Sequence, residues 1–277
     1  DIEEAGKSNA WNRYIHEFSS AAADFTVMLD ADIEFGEQET IENTVNALLQ
    51  NPDADVAVDQ PLKDAIKKSK RSLIERMSLA ASISTNKGAP SISGQFYCAR
   101  SRVLRTIWIP KGLPGEDGFL RSMILTNCFR DELDTGKVVR AANATHYFET
   151  LTSLSSIFRH EVRIVIGTAL NCYLTWDFLK FATDPTGPGA GVMIRNNLEK
   201  NTSWYLDLID NSIKNRGVWV LPRGVLLRRF QGISGGGGLL SLNLKKAVVA
   251  ISAFLFDLPI LIAANSKLKK GSAIGYW

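Results

Sequence analysis

An Asp-x-Asp step, Asp30-Ala31-Asp32, closes the apolar run Phe25-Thr26-Val27-Met28-Leu29, and about 85 residues later Gly115-Glu116-Asp117 heads a second apolar-periodic segment. In an extended strand alternate side chains share a side, so Asp30 and Asp32 are expected to point together into a crevice at the strand's carboxyl end. Two such carboxylates suit Mg²⁺ or Mn²⁺, hard cations often held by one or two protein carboxylates plus substrate phosphates. Asp117, with Glu116 beside it, is then left to act as a base. An isolated Asp-x-Asp is equally at home in a turn or a helix cap, so the residues around it decide.

Gly6-Lys7 precedes a segment with apolar Trp11, Ile15 and Phe18, which reads as a helix start. Backbone N–H groups and an ammonium at that point favour a phosphate or nucleotide. A P-loop is excluded, because its spacing requires a glycine where the chain has Asp1.

The elements that must position these residues alternate along the chain. A strand at 25–29 leads through a helix near 39–49 to a strand at 55–58. A basic helix is expected next, with Leu62, Ile66, Leu73, Met77 and Ala80 on one face and Lys63, Lys67, Lys68, Lys70, Arg71 and Arg76 among its charges. That pattern suits a solvated face over an apolar stripe, or a membrane or acceptor surface. Residues 91–99 read as a strand, 103–107 as a short helix or turn, and 116–127 as a helix whose N-terminal carboxylates also suit its dipole. Residues 138–142 read as a strand that 144–149 continues, toward a helix at 153–170 bearing Arg159, His160 and Arg163. Residues 184–191 are a Pro/Gly loop, 196–214 an amphipathic segment, and 234–238 a flexible joint. Residues 247–264 are apolar except for Ser252, Asp257 and Pro259, with lysines on both flanks. At 1.5 Å per residue they span about 27 Å, near the lower limit for a bilayer. Asp257 would cost roughly 2.5–3.5 kcal/mol at mid-membrane, so a buried core helix or an interfacial hairpin competes with a spanning helix.

With 277 residues the chain can bury a substantial core, and 45% hydrophobic with 22% charged residues is ordinary for a globular protein. A net charge of +3 gives no reason to expect nucleic acid as a partner. Cys98, Cys128 and Cys172 are widely spaced and form no zinc pattern, as befits a reducing compartment. His16, His146 and His160 stand apart from one another.

The order Gly-Lys-x-x-Ala-x-Asn (6–12), Leu-Asp-Ala-Asp (29–32), Ser93-Gly94-Gln95-Phe96, Gly115-Glu116-Asp117 and an arginine-bearing helix resembles the family-2 inverting glycosyltransferases of the GT-A fold. The resemblance covers about residues 4–165. It implies an α/β fold: a GT-A-like, Rossmann-related mixed sheet flanked by helices, with a C-terminal helical, membrane-associated segment. It implies Asp30 near the donor's ribose or sugar, Asp32 on the divalent metal, Lys7 by the nucleotide, Gly94 close to the transferred sugar, Asp117 as catalytic base and Glu116 as its supporting neighbour. The donor would be a nucleotide-diphospho-sugar, UDP-linked, and the acceptor a glycan or lipid hydroxyl. Arg163 could contact the diphosphate, since guanidinium binds phosphate in bidentate fashion.

Two departures shape this reading. Processive family members carry Gln-x-x-Arg-Trp where this chain has His160-Glu161-Val162-Arg163-Ile164, so transfer of one or few sugars is expected in place of polymer synthesis. The family layout also places about 70 to 100 residues of nucleotide-binding sheet before the Gly-Lys step, so the chain is expected to lack that part and to bind donor poorly in isolation. The expected organisation is a catalytic domain at 1–165, interfacial helices and loops at 166–245, and a membrane-associated or transmembrane helix and tail at 246–277. The resemblance puts the protein at a membrane with its catalytic domain facing the cytoplasm. Two other classes remain open: a haloacid-dehalogenase-like phosphatase with Asp30 as nucleophile and Lys87 or Lys111 as loose candidates for its lysine, and a non-catalytic membrane scaffold.

Overall fold

The computed structural model describes residues 5–86, 88–179, 187–230 and 244–271. The expected joint at 234–238 and the first part of the loop at 184–191 lie outside the described residues. Among the described residues five strands, β1 (Phe25–Leu29), β2 (Glu34–Phe35), β3 (Val56–Lys63), β4 (Phe96–Arg100) and β5 (Val138–Phe148), form one sheet in the order β1-β4-β3-β5-β2. Only β3 and β5 run parallel; the other neighbours are antiparallel. The helices are α1 (Lys7–Arg13, continued as a π-helix over Tyr14–Phe18), α2 (Thr40–Gln50), α3 (Leu73–Asn86), α4 (Ser101–Leu104), α5 (Glu116–Leu125), α6 (Leu154–Tyr173), α7 (Gly189–Lys200), α8 (Trp204–Lys214), α9 (Arg223–Leu226) and α10 (Leu244–Lys269). The expected α/β class, a mixed sheet flanked by helices, is what the chain adopts.

Strand alternation sorts the core. Val56, Val58, Tyr97 and Ala99 face a large apolar core shared with α1, α5, α6 and the later helices, while Ala57 and Cys98 face a smaller one under Leu48 of α2. The large core runs from Trp11 to Leu268, so α10 packs into the same apolar body as the sheet.

Three expectations change. β3 runs on to Lys63, so Leu62 belongs to a strand and Ile66 to the 3-10 turn Asp64–Lys67 that follows it. The helical period therefore crosses a strand-to-helix boundary, and the helix begins only at Leu73, where Ser72 and Glu75 exchange backbone and side-chain hydrogen bonds in a capping box. Leu73 and Met77 are 72% and 66% exposed, so they are no apolar stripe against the core. The second change is at the loop of residues 184–191, where α7 already begins at Gly189, and the segment 196–214 is two helices, α7 and α8, broken at Asn201. The third concerns α5, which ends at Leu125, short of Asn127, because Asn127, Cys128 and Phe129 take left-handed backbone angles.

Candidate functional site

α1 is fixed from below. Trp11 donates its indole N–H to the Tyr97 hydroxyl at 2.7 Å, and the Asn12 amide both donates to and accepts from the Ile109 backbone, at 2.7 and 3.0 Å. One turn on, His16 stacks on Trp108 with ring centroids 3.9 Å apart. Buried Trp11 and Asn12 thus leave Lys7 little freedom at the helix's first position. Its ammonium reaches Asp30 Oδ1 at 3.0 Å, the Gly94 carbonyl at 2.9 Å and Glu116 Oε1 at 3.3 Å. Burial pulls the ammonium's pKa down, but the bonds to and charges of Asp30 and Glu116 outweigh it and hold the pKa above the ordinary 10.5.

The Ser93–Phe96 loop closes one wall. Phe96 and Ser93 form an isolated bridge, the Gln95 carbonyl accepts the Asp30 N–H at 2.8 Å, and Gly94 lies against the charged groups. A Cβ on Gly94 would stand 3.1 Å from Lys7 Nζ, 3.3 Å from Glu116 Oε1 and 3.6 Å from Asp117 Cβ. Any side chain there would fill the space among Lys7, Glu116 and Asp117, so glycine is what keeps the cleft open.

The opposite wall is the turn into α5. Gly115 takes φ +71°, and its carbonyl accepts from the Asn171 side chain at 3.1 Å. Gly167, one turn earlier on α6, lets the helix approach so closely that a Cβ there would sit 3.0 Å from the Pro114 carbonyl oxygen. α6 therefore sets the turn, and the turn aims Glu116 and half-buried Asp117, whose Oδ1 accepts the Gly118 N–H at 2.8 Å. Arg163, Gly167 and Asn171 recur every four residues and so share this face of α6. Arg163 is exposed at its N-terminal end, next to His160, whose pKa burial and then the Arg163 charge lower.

Asp30 and Asp32 require a correction. β1 ends at Leu29, and both acids lie in the turn beyond it, so strand alternation does not aim them. Asp30 is instead oriented through its own N–H and by Lys7, and Asp32 is exposed. Among the described residues no three acidic, histidine or cysteine side chains gather as a metal cage. Two carboxylates are nevertheless a fitting donor set for Mg²⁺ or Mn²⁺ when substrate phosphates complete it.

Lys7, Asp30, Gly94, Glu116 and Asp117 thus converge although they come from four separate stretches of sequence. Four contributors were not singled out from the sequence. Gly167 and Asn171 support the turn from α6, while Asp59 and His146 form a buried pair reaching Gln95, with Asp59 at an irregularity of the β3–β5 pairing. A core-facing histidine in a strand was the available hint. A separate cleft lies at the other end of β1, lined by Ala21 to Phe25, Leu49, Arg100, Arg102 and Arg105. Its arginines Arg100 and Arg105 already donate to backbone carbonyls, and Arg102 pairs with Asp55, so it is no competing site.

No protein-family model and no curated protein matches the chain. Among solved structures it is similar to glucosyl-3-phosphoglycerate synthase from Mycobacterium tuberculosis in complex with phosphoglyceric acid, with TM-score 0.41 and 17% identity, covering 62% of this chain and 57% of that one. It is also similar to the mannosyltransferase PcManGT from Pyrobaculum calidifontis in complex with GDP-Man and Mn²⁺, with TM-score 0.47 and 13% identity, covering 97% and 68%. The chain spans less than two thirds of the synthase's length. At such scores neither likeness bears on activity, which rests on the residues of the cleft.

Proposed function

We propose that this protein is an inverting glycosyltransferase of the family-2 kind, transferring one or few sugars from a nucleotide-diphospho-sugar, UDP-linked, to a glycan or lipid hydroxyl. The observation that carries the reading is the convergence of Lys7, Asp30, Gly94, Glu116 and Asp117 on one cleft. In the reaction the acceptor oxygen attacks the anomeric carbon as the bond to the nucleoside diphosphate breaks. Asp117 takes the hydroxyl proton, and Glu116, tied to Lys7, holds the turn beside it. Positive character grows on the sugar and negative charge on the departing diphosphate. Lys7 offsets that charge at the nucleotide side, and Arg163 is suited to do so from α6. Asp32 and Asp30 would hold a Mg²⁺ or Mn²⁺ ion, which supplies Lewis-acid stabilisation of the leaving diphosphate when bound.

A phosphatase would use Asp30 as nucleophile. The ammonium beside it is Lys7's, and phosphate trapped on Asp30 would be the result that favours that reaction.

Membrane association belongs to the same proposal, with the catalytic part on the cytoplasmic side and three working regions at 1–165, 166–245 and 246–277. By length and composition Ala247–Lys269 could cross a membrane, with mean hydropathy 2.3. Val248, Val249, Leu255, Phe256 and Ile262 leave an apolar face exposed.

The test is Mn²⁺-dependent binding of a panel of nucleotide-sugars to the intact protein in detergent, alongside Asp32→Ala. Asp32 is exposed, so its loss should change stability by no more than about 0.5 kcal/mol while weakening metal-dependent donor binding. Binding that is the same with and without the metal, and unchanged in Asp32→Ala, would remove the metal from the reading.

A further inference from the structure

Asp59 and His146 sit at the heart of the sheet, 2% and 0% exposed, and the chemistry above makes no use of them. His146 Nδ1 lies 3.0 and 2.8 Å from the two Asp59 carboxylate oxygens, and Nε2 lies 3.2 Å from Gln95 Oε1. Phe96 and Phe148 flank the imidazole, with ring centroids 6.2 and 6.1 Å away. Gln95 in turn follows Gly94 in the cleft wall and holds Asp30 through its own carbonyl.

The proton inventory of these three side chains has one electrically neutral solution that leaves each contact with a donor and an acceptor. An amide oxygen only accepts, so the proton of the Gln95 contact belongs to Nε2. A second proton lies between Nδ1 and Asp59. The pair then holds two protons and no net charge, whichever of the two partners carries the second. Turning the amide over would put N–H groups against Nε2 and leave the pair either with one proton and a buried negative charge, which desolvation opposes, or with a neutral carboxyl whose O–H competes with Nδ1–H. Burial accordingly pushes the Asp59 carboxyl up from its ordinary value, with the His146 hydrogen bond and charge pulling it back.

We propose that Asp59 and His146 are a positioning pair: they bind the Gln95 carbonyl inward, so that its amide N–H groups donate to a hydroxyl or phosphate oxygen of the bound nucleotide-sugar. The ligand named here rests on the proposed function; the orientation of Gln95 does not.

Removing either Gln95 or His146 deletes the hydrogen bond between them, so Gln95→Ala and His146→Ala should each lower donor kcat/KM by about tenfold. The double variant should lose about as much as either single one, because the two act as a unit. Multiplied losses, or a silent Gln95→Ala, would show His146 to be only a core residue. Histidine ¹⁵N NMR of the wild type guards against misfolding of His146→Ala and reads the pair without any sugar: Nε2 of His146 should be protonated. A bare Nε2 in the wild type would overturn the proposal. A wild type that recognises no nucleotide-sugar would overturn the proposed function and the ligand assigned to Gln95, while the NMR result still judges the pair.

Discussion

Asp117 carries the heaviest assignment of any single residue, and its surroundings make the assignment testable. It is half-buried beside Gly94, braced by its own helix start, and its neighbour Glu116 is tied to Lys7. Asp117→Asn keeps the shape and removes the base, so transfer should fall by roughly 10²–10⁴-fold while the donor dissociation constant stays within about threefold. Single-turnover rates beside a binding titration would check both halves, and near wild-type transfer would take the base away from Asp117. The cleft residues that the sequence made legible were those whose motif is local: Lys7 after Gly6, the acid at 30, Gly94, and the acids after Gly115. Asp59 and His146 were illegible for the opposite reason. They are 87 positions apart, and only the irregular β3–β5 pairing brings them together.

Between residue and molecule, the elements explain why the site holds its shape. α6 is the brace, since Gly167 admits the Pro114–Gly115 turn and Asn171 pins it. Gly167→Ala would force a methyl group to 3.0 Å from the Pro114 oxygen, and such overpacking costs about 1–3 kcal/mol. Thermal melts should register that loss, and kcat should fall more than the donor KM rises, because the displaced turn carries Asp117, the proposed base. α3 offers a pH-dependent check. The Glu75 carboxyl, ordinarily near 4.5, is held down to about 2, chiefly by the Lys68 hydrogen bond and then by the Ser72 amide. A depressed carboxylate stabilises the fold fully above its unfolded value, here about pH 4.5, and loses that contribution as pH falls through about 2. Melts from pH 7 to 2 should therefore converge for wild type and Glu75→Gln at the acid end, and curves that stay parallel throughout would refute the linkage. Periodicity found β1, α2, α5 and α6 to within a few residues, because each is a single uninterrupted pattern. It misread 62–80, where Leu62 and Ile66 of a strand and a turn happen to fall in helical phase with Leu73 and Met77.

Across the whole molecule, α10 settles how the C-terminal segment tolerates its acid. Asp257 is 1% exposed and faces Arg228 and Arg229 at 2.8 Å each, while Arg228 also reaches Glu161 of α6 at 3.1 Å. The charge that would be expensive in lipid is thus met by the chain's own arginines, and the opposite face of α10 stays apolar and exposed. Asp257→Ala would leave two guanidinium groups without that partner; both arginines are partly solvated, so the cost should be about 2 kcal/mol, read as a lower melting temperature with α6 and α10 loosened together in hydrogen exchange. Unchanged protection in α6 would mean that the arginines do not tie it to α10. Sequence showed the helix and its awkward aspartate but not the arginines, which precede it by 28 and 29 positions. The central claim is that one cleft, built from α1, the end of β1, the 93–96 loop and the head of α5, transfers sugar from a nucleotide. The most direct measurement is nucleoside diphosphate release from a panel of nucleotide-sugars by the intact protein in detergent with Mn²⁺ and candidate glycan and lipid acceptors, with the anomeric configuration of the product read by NMR. One donor consumed, with inversion and with release abolished in Asp117→Asn, is the predicted result. No donor bound or consumed under any of these conditions, or a product of retained configuration, would contradict it.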